Sequence, residues 1–240
     1  MIDVTIAAQP TRYTDEEHDV WKTLYARRLG ELPGTASARF MAGIDAIGLG
    51  PDRVPDLADV NRRLAPLTGW RAVPVGGFLP AADFFAMLSK REFPTTVTVR
   101  AREHLEYVSA PDIFHDVFGH VPLHADPAFA SYLQHFGAVA AASPSPDALQ
   151  RLTRLFWFTV EFGLIREGGE VRAYGSGLIS SSADARNALG PGCDRRPFAL
   201  DEVMATDFEI DRLQPVLYVV DSFEQLFAEM SACLAVPAEC

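Results

Sequence analysis

The stretch PDIFHDVFGHVP, residues 111–122, decides how this chain is read. It holds two of the six histidines, His115 and His120, with two aspartates, a glycine and a proline at each end. Residues 112–120 read as a helix. Neutral imidazole is a common protein ligand for divalent transition metals. Histidines four apart share one face of an α-helix, whereas five apart they diverge by about 140°. A shared metal therefore requires the chain to bend, or the helix to end, between them. Gly119 and Pro122 supply such a break, one by loosening the backbone and the other by stopping the helix. The plainer alternative is that both histidines are satisfied polar residues, with Phe114 and Phe118 simply core.

A third donor favours the metal. The apolar stretch LQRLTRLFWFTVEFGLI, residues 149–165, contains one acid, Glu161. A buried glutamate is costly unless it is paired, here with Arg154 or Arg166, or bound to a metal. Two histidines and one carboxylate form the facial triad of non-haem iron(II) oxygenases, which leaves coordination positions open. The same three ligands also suit a zinc hydrolase in which the metal activates water and Asp116 acts as base.

The rest of the chain is consistent with a soluble enzyme of one domain, residues 1–240. The net charge of −11 works against phosphate-backbone binding, so no nucleic acid is expected. No apolar run is long enough to span a bilayer, and the N-terminus lacks a signal-peptide pattern. Three cysteines without C-x-x-C spacing point to a reducing, cytoplasmic setting and against a cysteine metal site.

Residues 1–13 read as a loose arm before a helix that Thr14 caps. Further helices are expected over 36–49, 57–68, 80–93 and 127–140. Another starts near Asp147 and runs to about Ile165, and the last two cover 201–208 and 222–235. Strands are expected in WRAVPV, in TTVTVR and in QPVLYVVD, and EVRAYGSGLISS reads as a hairpin-like segment. Helices outnumber short, scattered strands, which predicts a mainly α fold with a minor β component.

Four motifs in order, PDIFHDVFGHVPLHADPAFASY, FWFTVEFGLI, RAYGSGLISS and LYVVDSFEQLF, resemble the pterin-dependent aromatic amino acid hydroxylases, especially bacterial members that act on phenylalanine. The resemblance covers about Thr68 to Phe227. It implies that family's catalytic-domain fold and an iron(II) held by His115, His120 and Glu161. A tetrahydropterin and O2 would act there on an aromatic amino acid, converting phenylalanine to tyrosine.

By the same resemblance Arg100 receives the substrate carboxylate, and Asp112 holds that arginine. Pro111, Trp157, Phe162 and Gly177 wall the ring pocket, and Ser180 lies near the amino acid. Phe84 stacks on the pterin, and Gly76, Gly77, Phe78 and Leu79 form its loop. A bare catalytic domain without a regulatory module is expected, acting as a monomer.

Three departures from the family pattern bear on substrate and ring position. Ala110 stands where a glutamate is usual, Phe156 where a tyrosine is usual, and TTVTV where bacterial relatives often carry aromatics. They keep open meta-hydroxylation of phenylalanine and tryptophan hydroxylation within the family. A binding protein that no longer turns over is disfavoured by the intact ligand set.

Overall fold

The computed structural model describes residues 12–77, 79–106, 110–143 and 145–234. The first helix, α1 (Asp15–Glu31), begins with a capping box. Thr14 accepts from the Glu17 amide, and the Glu17 carboxylate accepts from the Thr14 amide. Of the expected N-terminal arm only Arg12 and Tyr13 fall within the described residues, and Tyr13 is tied down. Its hydroxyl donates to the Val97 carbonyl at 2.9 Å.

Helices α2 (Ala38–Ile47) and α3 (Leu57–Thr68) follow. Gly69 closes α3 at φ 78°, a left-handed cap that favours glycine. Strand β1 (Arg71–Val75) pairs in parallel with β2 (Glu92–Thr96), and α4 (Ala81–Ser89) connects them. The strand expected through Arg100 stops at Thr96. Its partner ends at Val75, so the backbone beyond has no ladder to join.

Two short segments wind as π-helix: π1 (Phe114–His120) and π2 (Trp157–Glu161). Between them lie α5 (Pro127–Ala141), capped by Asp126, and α6 (Pro146–Phe156), capped by Ser145 rather than Asp147. The helix expected to reach Ile165 thus ends as α at Phe156 and rewinds into π2. Strand β3 (Leu164–Glu167) follows at once.

The hairpin of β3 with β4 (Glu170–Ala173) turns on Gly168 and Gly169. EVRAYGSGLISS is therefore only half strand, because its second part forms α7 (Ser176–Ser180). Helix α8 (Ser182–Leu189) and strand β5 (Asp194–Pro197) were not anticipated. Helix α9 (Leu200–Ala205), strand β6 (Val216–Val220) and helix α10 (Phe223–Leu234) complete the chain. The larger sheet has the order β4-β3-β6-β5.

The core is aromatic around π1. Phe114 and Phe118 stack at 4.7 Å, with Trp21 edge-on to the first and Tyr25 and Phe40 edge-on to the second. Both phenylalanines are core, as the plain reading had them.

Helix α1 also fixes α7 through a buried cation. Arg28 donates from Nε to the Ile179 carbonyl at 2.7 Å and from Nη2 to the Leu178 carbonyl at 3.0 Å, and its Nη1 reaches Ser182 and Glu31. These carbonyls close the C-terminal turn of α7, where a positive charge is favourable. Replacing Arg28 with Met leaves them buried without donors. It is expected to lower unfolding stability by about 2–4 kcal/mol, measured by urea denaturation.

Candidate metal centre and substrate pocket

A π-helix repeats its hydrogen bonds every five residues, so residues five apart come onto one face. That winding resolves the odd spacing in PDIFHDVFGHVP. The His115 and His120 rings lie 5.0 Å apart, almost perpendicular at 89°. The second segment shows the same repeat: the Phe162 amide donates to the Trp157 carbonyl at 2.8 Å and turns Glu161 inward.

The expected break at Gly119 is not what brings the histidines together. Gly119 has no positive φ, and its contribution is close approach. A Cβ there would lie 3.0 Å from the Ser176 carbonyl oxygen and 3.2 Å from the Ser176 Cβ.

His115, His120 and Glu161 converge with one ligand atom each, all within 4.8 Å of one another. Glu161 Oε1 lies 3.2 Å from His120 Nε2, and Oε2 lies 3.6 Å from His115 Nε2. Neither arginine considered as a partner reaches Glu161, since Arg154 pairs with Asp207 and Arg166 with Asp221. His124, four residues past His120, takes no part and stacks on Trp70 at 4.7 Å.

Two serines support the ligands. Ser180 Oγ donates its proton to the Ser176 carbonyl at 2.8 Å, so it accepts at its 2.9 Å contact with His115 Nδ1. The proton of neutral His115 therefore sits on Nδ1, and the Nε2 lone pair faces Glu161. Ser176 Oγ donates to Glu161 Oε2 at 2.6 Å. Ser180, expected near the amino acid, has the His115 imidazole and the Ser176 carbonyl as its described partners. Ser176 was missed. Its position four residues before Ser180 was the available signal.

The electrostatics suit a cation. Burial pushes the Glu161 carboxyl up, but His120 and His115 outweigh this and hold it well below the usual range. Burial disfavours charge on His115, and Glu161 outweighs that, so His115 is raised. The carboxylate thus favours positive charge between the rings, a proton or a metal. Two neutral nitrogens and one carboxylate fit a divalent transition metal.

Asp116, the candidate base, is buried and its carboxyl is raised by that burial. Its Oδ2 accepts from the Thr96 amide at 2.7 Å.

Arg100 and Asp112 form a buried two-bond pair, Nε to Oδ2 at 2.9 Å and Nη2 to Oδ1 at 2.8 Å. Asp112 Oδ1 also accepts from the His115 amide at 3.0 Å, so one carboxylate ties the arginine to the metal-ligand helix. Asp112 is thereby both helix cap and arginine holder. Arg100 Nη1 has no hydrogen-bond partner among the described residues.

The aromatic pocket residues sit beside Glu161. Trp157 lies 4.6 Å from the Phe162 ring and stacks on Phe208 at 4.4 Å. Phe208 was not foreseen, because it follows α9 in an irregular loop. A Cβ on Gly177 would lie 3.0 Å from the Phe162 ring, so glycine there makes room for that ring.

Pro111 and Ala110 are exposed. Phe84 is partly buried and lies edge-on to Phe85, Phe93 and Phe156. Phe156 is partly buried and packs among the rings of Phe84, Phe85 and Phe136. Gly76 and Gly77 are exposed and Leu79 is buried, whereas Phe78 lies outside the described residues.

A family model described as biopterin-dependent aromatic amino acid hydroxylase matches residues 7–235. The chain belongs to that family. The match reaches well before Thr68, where the motif resemblance began.

The chain is 42% identical over 226 residues to a phenylalanine-4-hydroxylase of Chromobacterium violaceum, covering 94% of this chain and 76% of that one. It is 44% identical over 225 residues to the enzyme of the same name from Caulobacter vibrioides, covering 93% and 76%. A Chromobacterium violaceum phenylalanine hydroxylase structure with bound Fe(III) and oxidized 7,8-dihydrobiopterin is similar at a TM-score of 0.91 and 40% identity, covering 99% of this chain and 88% of that one.

The Arg100–Asp112 pair has a measurable pH signature. Burial raises the Asp112 carboxyl, but the Arg100 bonds outweigh it, so the folded value lies below the unfolded one. The pair's stabilisation is complete above the ordinary carboxylate range and is lost as pH falls through the depressed value. Asp112→Asn is expected to cost about 2–4 kcal/mol at neutral pH. That difference shrinks in acid, as read by urea unfolding at both conditions.

Proposed function

We propose that this chain is an iron(II)- and tetrahydropterin-dependent monooxygenase that converts phenylalanine to tyrosine. The observation that carries the reading is the shared carboxylate Asp112, which joins a buried arginine to the helix bearing His115 and His120. A substrate anchor and an oxygen-activating metal must be held at fixed separation if one ring carbon is to react.

His115, His120 and Glu161 would hold the iron. When bound, iron(II) with tetrahydropterin supplies the electrons that activate O2, so that one oxygen atom enters the ring. Asp112 occupies one edge of the Arg100 guanidinium, and the remaining donors fit an amino acid carboxylate in a two-pronged grip. Trp157, Phe162, Gly177 and Pro111 form the walls for the substrate ring, with Phe208 backing Trp157. The apolar faces of Trp157 and Phe162 exclude water from the ring's side of the site. Phe84, with the Gly76–Leu79 loop, receives the pterin. Ser180 keeps the His115 proton on Nδ1 so that Nε2 remains free for the metal.

The reading includes a cytoplasmic, monomeric enzyme acting on a free aromatic amino acid. The free thiol of Cys193 is consistent with a reducing compartment. Sedimentation of the purified chain tests the monomer.

Supplying phenylalanine, tyrosine and tryptophan separately, with Fe(II), tetrahydropterin and O2, tests the activity by chromatography. Tyrosine from phenylalanine is expected, and a meta-hydroxylated product or hydroxytryptophan as the main product overturns the assignment. Arg100→Lys keeps the charge and loses the fork. It is expected to raise KM for phenylalanine about 10–100-fold with a smaller change in kcat, checked by steady-state kinetics.

A further inference from the structure

The hydroxyl of Ser176 stands at a junction that the proposed chemistry has not used. Its Oγ donates to Glu161 Oε2 at 2.6 Å, and its own carbonyl accepts from Ser180 Oγ at 2.8 Å. Ser180 in turn meets His115 Nδ1 at 2.9 Å. One residue therefore reaches two of the three metal ligands, one directly and one through a single hydroxyl.

The residue is almost wholly buried, and its place is fixed from three sides. On one side Gly119 of π1 lets the Ser176 backbone approach, since a Cβ there would stand 3.0 Å from the Ser176 carbonyl oxygen. On a second side Gly175 lies against the backbone around π2, where a Cβ would stand 2.5 Å from the Glu161 carbonyl oxygen and 2.3 Å from the Gly163 amide. At the far end of α7, Arg28 binds the Leu178 and Ile179 carbonyls. A short helix wedged in this way cannot slide without moving the hydroxyl off the carboxylate.

We propose that Ser176 is a positioning residue for the metal centre, holding Glu161 Oε2 so that the carboxylate offers Oε1 to the metal as a one-oxygen ligand. The inference rests on the metal reading of the triad given above. Oε1 is the oxygen nearer an imidazole, 3.2 Å from His120 Nε2, and no hydroxyl or backbone amide among the described residues donates to it. A hydrogen bond to the outer oxygen lowers its donor strength and fixes the carboxylate plane, which is how outer partners tune a ligand.

The test uses the full chain, stripped of metal by chelation and titrated with Co(II), whose visible absorption reports ligand number and geometry. Ser176→Ala and Ser176→Gly each remove the hydroxyl. In both, Co(II) affinity is expected to fall at least about tenfold, and the absorption bands to shift and change intensity. Melting of the metal-free protein is expected to fall by only a few degrees, about what one lost hydrogen bond to a carboxylate costs.

Wild-type affinity and spectrum in either folded variant overturn the role of Ser176, as does a loss of melting temperature with the Co(II) spectrum unchanged. If the wild-type chain itself does not bind Co(II) or Fe(II), the metal reading fails and the positioning role fails with it. The wild-type titration thus separates the two failures.

Discussion

The site depends on how two short stretches of backbone are wound. In π1 and π2 the hydrogen bonds run five residues back instead of four, a geometry that is uncommon and occurs mostly as single turns near functional sites. Here it is held by packing on the faces away from the metal. Phe114 and Phe118 are locked into the aromatic core on one side of π1, and the histidines emerge on the other. With α winding the two imidazoles would point about 140° apart and no single ion could bridge them. Close glycine contacts with α7 then fix the distance between the two π segments.

A second constraint is the burial of charge. Glu161, Asp112 and Asp116 lie within one small region of an already acidic chain. Unpaired carboxylates there would be strongly disfavoured. Each has a separate solution. Asp112 has Arg100, Asp116 a backbone amide and a raised carboxyl, and Glu161 the two histidines with a serine hydroxyl. Glu161 is the carboxylate whose oxygens lie against both Nε2 atoms, which is why a cation belongs there. The arrangement also makes geometry at Arg100 inseparable from geometry at His115, because the same carboxylate oxygen serves both.

Much of this was legible in the sequence where the signal is local. The cap at Thr14 is legible, because a cap depends on a few adjacent residues. The triad was readable from residue types, and the Arg100–Asp112 pair only through the family resemblance. The winding was not, since a π repeat leaves no hydrophobic period of its own and the stretch 149–165 looks like one continuous helix. Strand β5 was invisible because DRRP is exposed and polar, and only its pairing with β6 makes it a strand. Phe208 reaches the site through a tertiary contact that no spacing in the chain announces, whereas Ser176 was signalled only by its place four residues before Ser180.

The departures from the family pattern acquire different weights once the side chains are in place. Phe156 lies among Phe84, Phe85 and Phe136, so the position contributes apolar contact next to the aromatic assigned to the pterin. Ala110 is exposed at the edge of the loop leading to Asp112, and the Arg100–Asp112 bonds form without a carboxylate at that position. Neither change touches a metal ligand or a support of one. Trp157 and Phe162, proposed above as ring walls, pack against Phe208 and Gly177. Under the proposed function, selection among aromatic rings belongs to that cluster, in particular to how firmly the loop carrying Phe208 is held to α6. That hold is the Arg154–Asp207 pair together with the Arg154 contact to the Met204 carbonyl.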